Sequence, residues 1–306
     1  MNITVILCTY NRCQVLSKAL DSLAASTVPD LIQWEVLVVD NNSHDQTREV
    51  VEEFSRRFPG RFQYSFEPQA GKSNALNRGI REAEGDVLAF VDDDVTVEPA
   101  WLSSLTGSLD DDTWAGAGGR IVLDWPPSVP AWLSTEGPYA RHAFPGFDQG
   151  PEPKDLIGPP FGTNMAFRKA IFTKYGGFRT DLGPTPGSEI RSEDTEFGRR
   201  LISGGERLRY EPAAVVYHPV PASKINKKHF LNWWFDKGRA DAREFPTSPL
   251  HLFCSLAAWT ARWMTALARP TRFHAKLVVW EKAGTITEWS RLSVGDKKKR
   301  ERNAEA

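Results

Sequence analysis

Three aspartates stand in a row, Asp92, Asp93 and Asp94, directly after the apolar run Val87 to Val91. Adjacent carboxylates repel one another, and burying one without a partner is costly. The run is therefore either an acidic turn that caps the next helix or a place where positive charge sits. In an extended segment, residues two apart point the same way, which aims Asp92 and Asp94 at one point and Asp93 elsewhere. Two convergent carboxylates suit Mg²⁺ or Mn²⁺, and such an ion on a diphosphate helps the phosphate leave. A second acidic pair, Glu193-Asp194, opens a helical segment. Acidic residues favour a first turn through the helix dipole alone, and a carboxylate there can also take a proton from a hydroxyl nucleophile. His218, in "VVYHPV", ends a strand-like run, as a structural histidine or as a group reaching the same rim. Lys72, Asn74 and Asn77 start a helix after Gly71. That position attracts phosphate, although a plain polar helix start has the same sequence.

The elements that position these groups alternate over the first 125 residues. Apolar runs ("ITVILCTY", "WEVLVVD", "RFQYSFEP", "DVLAFVDDD") are separated by segments with helical spacing ("QVLSKALDSLAAS", "DQTREVVEEFSRRF", "KSNALNRGIREAEG", "EPAWLSSLTGSL"). This pattern predicts an α/β fold with a mostly parallel sheet flanked by helices on both faces. Such sheets bind ligands at the carboxyl ends of their strands. Three ends carry polar groups: Thr9-Tyr10-Asn11-Arg12, Asp40-Asn41-Asn42 and Asp92-Asp93-Asp94. Residues 125 to 160 read as irregular, followed by a strand and short helix in "GTNMAFRKAIFTKYGGF". A helix follows over "SEDTEFGRRLISGG", with Ser192 as N-cap and Gly204-Gly205 as stop. "RLRYEPAAVVYHPV" then reads as a strand.

Several classes fall away. "GKS" at 71–73 lacks the glycine a P-loop needs five residues earlier, where Phe66 stands. "GAGGR" at 116–120 lacks the dinucleotide spacing and runs into Ile121-Val122-Leu123 instead of a helix. A formal net charge of -1 argues against a nucleic-acid partner. Cys8, Cys13 and Cys254 form no zinc pattern, and so sparse a set suits a reducing cytosol. The N-terminus reads as a strand, not a secretory signal, so the sequons at Asn2 and Asn41 are read as chance.

In order and spacing, "TVILCTYNR", "VLVVDNNSHDQT", "AGKSNALNRGI", "FVDDDV" and "SEDTEFGRRL" resemble the family 2 inverting glycosyltransferases of GT-A fold. The motifs span residues 3 to 201. The resemblance implies a nucleoside-diphosphate sugar donor, UDP-linked by preference or GDP-linked, a divalent cation (Mn²⁺ or Mg²⁺), and a glycan or lipid-linked acceptor. Thr9 and Asp40 match residues that hold base and ribose, with Tyr10, Asn11, Arg12 and Asn42 on the same strand ends. Lys72 and Asn74 match polar positions near the donor. Asp92 and Asp94 match the outer positions of the DxD motif, with Asp93 between them on the donor side. Asp194 matches the general base, with Glu193 as its neighbour, and His218 matches a histidine that completes the metal site in part of the family. The chain departs from processive members, which carry a Gln-x-x-Arg-Trp motif and transmembrane helices. "KKHFLNWWFDKGR" keeps neither feature, so transfer of one or a few sugars is expected, in surface polysaccharide or glycolipid assembly.

The expected organisation is a GT-A catalytic domain at 1–221, with a nucleotide-sugar half at 1–125 and an acceptor half at 126–221, then a helical region with a basic tail at 222–306. "HLFCSLAAWTARWMTALA" at 251–268 is apolar, but Arg262 interrupts it. A bilayer span needs about 20 apolar residues, and a central arginine is costly there. Two readings stay open: a helix packed on protein, or an interfacial helix with Trp259, Trp263, Trp280 and Trp289 at headgroup depth and the cluster Lys297 to Arg302 on anionic lipid. A cytoplasmic protein, soluble or peripheral on the inner membrane face through 251–302, is expected. Two other function classes compete. A sugar-phosphate nucleotidylyltransferase wants a glycine-rich loop after the first strand, where "CTYNRCQ" has no glycine. A noncatalytic carbohydrate-binding module is opposed by the intact DDD and ED runs.

Overall fold

The computed structural model describes the backbone of residues 1–138, 140, 143–245 and 248–305, with side chains throughout except at Pro249 and 294–305. The basic cluster Lys297 to Arg302 therefore has its side chains outside the described set. The chain forms two compact units by packing. The first is Met1–Asp124, Pro145–Pro186 and Glu193–Pro219, and the second is Trp125–Phe144, Gly187–Ser192 and Val220–Ala306.

The first unit runs β1 (Asn2–Thr9), α1 (Cys13–Ala24), β2 (Gln33–Asp40), α2 (Thr47–Arg57), β3 (Phe62–Phe66), α3 (Lys72–Glu82), β4 (Val87–Asp92), β5 (Thr96–Val97), α4 (Trp101–Thr106), β6 (Gly116–Asp124), β7 (Lys154–Asp155), β8 (Asn164–Arg168), α5 (Lys169–Tyr175), α6 (Glu193–Ser203) and β9 (Leu208–Pro219). These strands make one sheet in the order β3-β2-β1-β4-β8-β6-β9-β5, with β7 paired to β9. The half built from β3, β2, β1 and β4 is parallel. Its apolar runs fill both faces. Ile3, Val5 and Leu7 pack with Leu16, Leu20, Val51 and Phe54 of α1 and α2, whereas Ile6, Leu37 and Val39 pack with Leu76 of α3 and Phe197 of α6. Two-residue alternation explains the division.

Register places the rim. Thr9 pairs with Asp40, and Cys8 with Asp92, so three polar strand ends lie at one edge of the sheet. β8 then runs antiparallel to β4, with Asn164 opposite Val91, which brings the residues before β8 to that same edge. β9 runs parallel to β6, Leu123 opposite His218, and so delivers His218 near its end. Sequence pattern alone does not reveal the antiparallel insertion, because an apolar strand in a sheet covered on both faces reads alike in either direction.

α6 is held by aromatic packing. Phe197 stacks on Phe172 at 4.9 Å and meets Phe167 edge-on at 5.2 Å, fully buried. The helix stops as expected: Glu206 N–H donates to the Leu201 carbonyl, Gly205 N–H to that of Ile202, and Gly205 takes φ 86°. This is the Schellman arrangement, in which glycine carries the left-handed residue without strain. Ser192, the expected N-cap, differs: its φ is 83°, not the extended value usual for a cap. A left-handed non-glycine residue thus precedes the acidic pair.

In the second unit, α7 (Lys227–Glu244), α8 (Pro249–Thr265) and α9 (Arg269–Glu305) follow one another. Asn226 caps α7 by accepting from His229 N–H at 2.9 Å. α7 and α9 approach closely enough that a Cβ at Gly238 would collide with the Glu281 carbonyl, and one at Gly284 with that of Phe235. Trp132 packs edge-on against Phe230 and Phe273, at 5.5 and 4.6 Å. Among the described residues, no helix is long and apolar enough to cross a membrane.

Candidate active site

The three aspartates do not continue the strand. β4 ends at Asp92, and Asp93 and Asp94 form a turn. Strand alternation therefore does not govern them, and the expected pairing of Asp92 with Asp94 is replaced by a different division. Arg12 Nη1 donates to Asp93 Oδ1 at 2.8 Å and to Asp94 Oδ2 at 2.9 Å, so these two share one guanidinium. Asp93, buried, also accepts from Thr9 Oγ1 at 2.7 Å. Asp92 turns to other partners: Lys72 Nζ at 2.6 Å on Oδ1 and Thr163 Oγ1 at 2.7 Å on Oδ2.

These contacts set the electrostatics. Burial pushes the Asp92 carboxyl up, but the Lys72 ammonium outweighs it and holds Asp92 well below the usual carboxylate range. Burial dominates at Asp93, where Arg12 offsets it only in part, and the carboxyl is pushed up to about 6. Burial would lower the Lys72 ammonium, yet Asp92 and Glu193 raise it above its ordinary value, so it stays charged. Lys72 lies 2.6 Å from Asp92 and 3.6 Å from Glu193, and thereby links the end of β4 to the start of α6.

The acidic pair of α6 divides its tasks. Glu193 is 3% exposed and faces Lys72. Asp194 is half-buried, and its carboxylate is fixed by two backbone donors: Gly162 N–H to Oδ2 and Thr195 N–H to Oδ1, each at 2.6 Å. Glycine at 162 matters because a Cβ there would press on Asp194 Oδ2 at 3.2 Å. Oriented this way, Asp194 can accept a proton from a hydroxyl brought beside it.

At the ends of β1 and β2 the polar groups build a loop cradle. Asp40 is buried and accepts from Ser43 N–H and Tyr64 Oη, both at 2.9 Å. Asn11 (φ 52°) accepts from His44 N–H through Oδ1 at 2.7 Å and donates its own N–H to Ser43 Oγ at 2.9 Å. Asn42 has φ 68°, and Tyr10 is exposed. Lys72 stands at the N-terminus of α3 as expected, but its ammonium holds carboxylates rather than facing outward for phosphate. Asn74 Nδ2 donates to the Ala70 carbonyl at 2.9 Å, closing the turn ahead of that helix.

Four groups escaped the sequence reading. Thr163 and Gly162 lie in "PFGTN", which carries no motif and stands 71 residues from Asp92. Tyr64, midway along β3, anchors Asp40. Asn41, buried, donates to the carbonyls of Glu67 and Gln69 and accepts from Gly71 N–H at 2.7 Å, pinning the loop that leads into α3. Only Asn41 had a signal, as part of a polar strand end.

The fit to a divalent cation turns on which donors face one another. His218 Nε2 lies 3.8 Å from Asp94 Oδ1, while both oxygens of Asp92 are engaged by Lys72 and Thr163. Among the described residues, no group of three or more metal-ligating side chains is gathered. An oxygen and an imidazole nitrogen fit an ion that takes its remaining positions from phosphate oxygens and water, the way Mg²⁺-type ions sit on nucleotides.

A family model described as glycosyl transferase family 2 matches residues 4–176. Succinoglycan biosynthesis protein ExoM of Rhizobium meliloti is 28% identical over 244 residues, covering 79% of this chain and 75% of that one. Glycosyltransferase AglE of Haloferax volcanii is 26% identical over 258 residues, 84% of this chain and 79% of that one. Among solved structures, mannosyltransferase PcManGT from Pyrobaculum calidifontis, in complex with GDP-Man and Mn²⁺, superposes with a TM-score of 0.57 over 95% of this chain and 75% of that one. At 19% identity that likeness speaks to the fold, which is the GT-A arrangement expected from the motifs.

Proposed function

Because the chain belongs to glycosyl transferase family 2, we propose that it moves one sugar from a nucleoside-diphosphate donor to an acceptor hydroxyl, with inversion at the anomeric carbon. The observation that carries this reading is the Asp92–Lys72–Glu193 link beside an Asp194 carboxylate fixed by Gly162 and Thr195. It supports the reading by joining the acidic run at the end of β4 to the acidic pair of α6 within one unit. The donor is assigned to residues 1–125 and the acceptor to 126–221, ahead of the helical region at 222–306.

Thr9, Tyr10, Asn11, Arg12, Asp40 and Asn42 lie on the strand ends assigned to base and ribose, where Asp40 is held by Ser43 and Tyr64. Asp94 and His218 would hold the cation, with Arg12 fixing the second oxygen of Asp94. When bound, a divalent ion supplies positive charge to the departing diphosphate. Lys72 keeps Asp92 ionised and Glu193 paired. Asp194 takes the proton of the acceptor hydroxyl. The freed oxygen bonds to the anomeric carbon from the face opposite the diphosphate, whose bond to that carbon breaks, and nucleoside diphosphate leaves. A single displacement needs no covalent enzyme intermediate. The same reading puts the chain in surface polysaccharide or glycolipid assembly with a glycan or lipid-linked acceptor, and the likeness to succinoglycan biosynthesis protein ExoM supports the polysaccharide part.

The test is a panel of UDP-, GDP- and dTDP-sugars with Mn²⁺, Mg²⁺ or EDTA, followed by nucleoside diphosphate release and the anomeric configuration of product by NMR. The reading expects cation-dependent release from one donor and an inverted product. Release that ignores EDTA, or a product of retained configuration, overturns it.

A further inference from the structure

α8 buries one face and leaves the opposite one bare. Leu252 is buried, and Trp259 and Trp263 pack against His274 and Trp280 of α9, at 5.9 and 6.0 Å between ring centres. These residues recur at helical spacing and define the inner face. On the other side, Leu250, the adjacent Phe253 and Cys254, Ala257, Ala261 and Met264 are all exposed, otherwise recurring every three or four residues along the helix. Leu250 is 74% exposed, Phe253 55% and Met264 73%, and Leu267 just beyond the helix is 98% exposed. The strip carries no charged residue along its centre. A continuous exposed apolar face of this kind marks an interaction surface.

Charge says what covers it. From Phe245 to Trp280 the chain has no Asp or Glu, although acidic residues number 39 in 306, about one in eight. The same span carries Arg262, Arg269, Arg272 and Lys276. Arg262, Arg269 and Arg272 are exposed, Arg262 along the border of the strip and the other two in the first turn of α9. Arg262 and Lys276 also lie over the rings of Trp259 and Trp263, at 5.1 and 5.3 Å, which holds both cations beside α8. A second copy of the chain would bring the same basic surface against itself, and like charges oppose that pairing. A helix of 17 residues spans about 25 Å at 1.5 Å per residue, so it lies along a surface rather than through it.

We propose that α8 is an interfacial helix that docks this protein onto an anionic lipid bilayer, apolar strip inward and arginines at the headgroups. This inference does not depend on the proposed reaction, because it concerns a surface in the second unit and is read without any turnover.

Flotation of the purified full chain with vesicles of phosphatidylcholine alone, or phosphatidylcholine with 30% phosphatidylglycerol, tests it. The proposal expects binding to the anionic vesicles, weakened in high salt, and at least tenfold weaker in the double variant Phe253→Glu/Met264→Glu. That variant leaves the basic tail intact and exchanges two exposed side chains. As a measurement on the unaltered chain, the alkylation rate of Cys254, read by peptide mass mapping, is expected to fall at least tenfold when anionic vesicles are present. Three results overturn the proposal: no flotation with either vesicle, flotation and Cys254 alkylation that ignore the strip, or concentration-dependent dimerisation that the same variant abolishes.

Discussion

Two clusters of carboxylates, one at the sheet rim and one among the helices, settle their charge differently. At the rim of the sheet, the described partners of Asp92, Asp93, Asp94 and Glu193 include the cations Arg12 and Lys72, with His218 3.8 Å from Asp94. In the helical unit, Glu288 is buried between Arg239 (2.9 Å) and Arg243 (2.6 Å), with Asp236 on Arg239 and Arg291 at 3.8 Å, so the two acids meet three bases. The helical cluster meets its acids with a surplus of bases and serves packing. Among the described residues the rim cluster has more carboxylates than cations, and such a surplus favours a ligand of opposite charge. The parallel half of the sheet brings that excess together through register, whereas the helical cluster arises from two helices brought together by Gly238 and Gly284.

The largest effect that sharpens this contrast is expected at the rim. Asp194→Asn keeps the shape of the side chain but removes the base, and turnover should fall by about 10³-fold or more while donor binding, followed by thermal shift, is retained. Equal loss of both would make Asp194 a binding or folding residue. In the helical cluster, Glu288→Gln leaves three guanidinium groups around a neutral amide. We expect about 3 kcal/mol lower stability and unchanged turnover of the folded enzyme, measured by urea unfolding and a turnover assay.

The pH dependence of that cluster has a definite sign. Burial raises the Glu288 carboxyl, but hydrogen bonds from Arg243 and Arg239 outweigh it and hold it below its ordinary value of 4.5. Its contribution is therefore present above about pH 4.5 and lost as pH falls through the lower folded value. The unfolding midpoints of the wild type and Glu288→Gln should converge below that pH, and parallel curves would contradict the assignment.

At the rim, Lys72→Met leaves Asp92 and Glu193 facing each other without their ammonium, and a loss of about tenfold in turnover is expected. A wild-type rate would show that the link is dispensable. Thr163→Val removes a single hydrogen bond to Asp92, and the expected cost is smallest, about 1 kcal/mol in stability.

The parallel half of the sheet and its polar strand ends were legible in the sequence because buried strands between amphipathic helices have few other arrangements. Asp40, Asp194 and Lys72 could be placed at the right element ends for that reason. Thr163, Gly162 and Tyr64 could not. Their role depends on β8 entering antiparallel beside β4 and on the cross-strand position of β3, and neither leaves a local pattern. The partners of the three aspartates were not legible for a related reason. Alternation assumes an extended chain, and the chain turns at Asp93 to reach Arg12, 81 residues earlier. On α8, both faces are apolar, so periodicity alone could not tell the packed side from the bare one.

The most direct test of the rim's negative excess is calorimetric titration of UDP and GDP into the wild type and Asp94→Ala, with Mn²⁺ and with EDTA. The account predicts that one nucleotide binds, that Mn²⁺ tightens it by about 100-fold, and that Asp94→Ala removes that gain while leaving the EDTA affinity unchanged. Nucleotide affinity equal in Mn²⁺ and EDTA, or a Mn²⁺ gain that persists in Asp94→Ala, would contradict it.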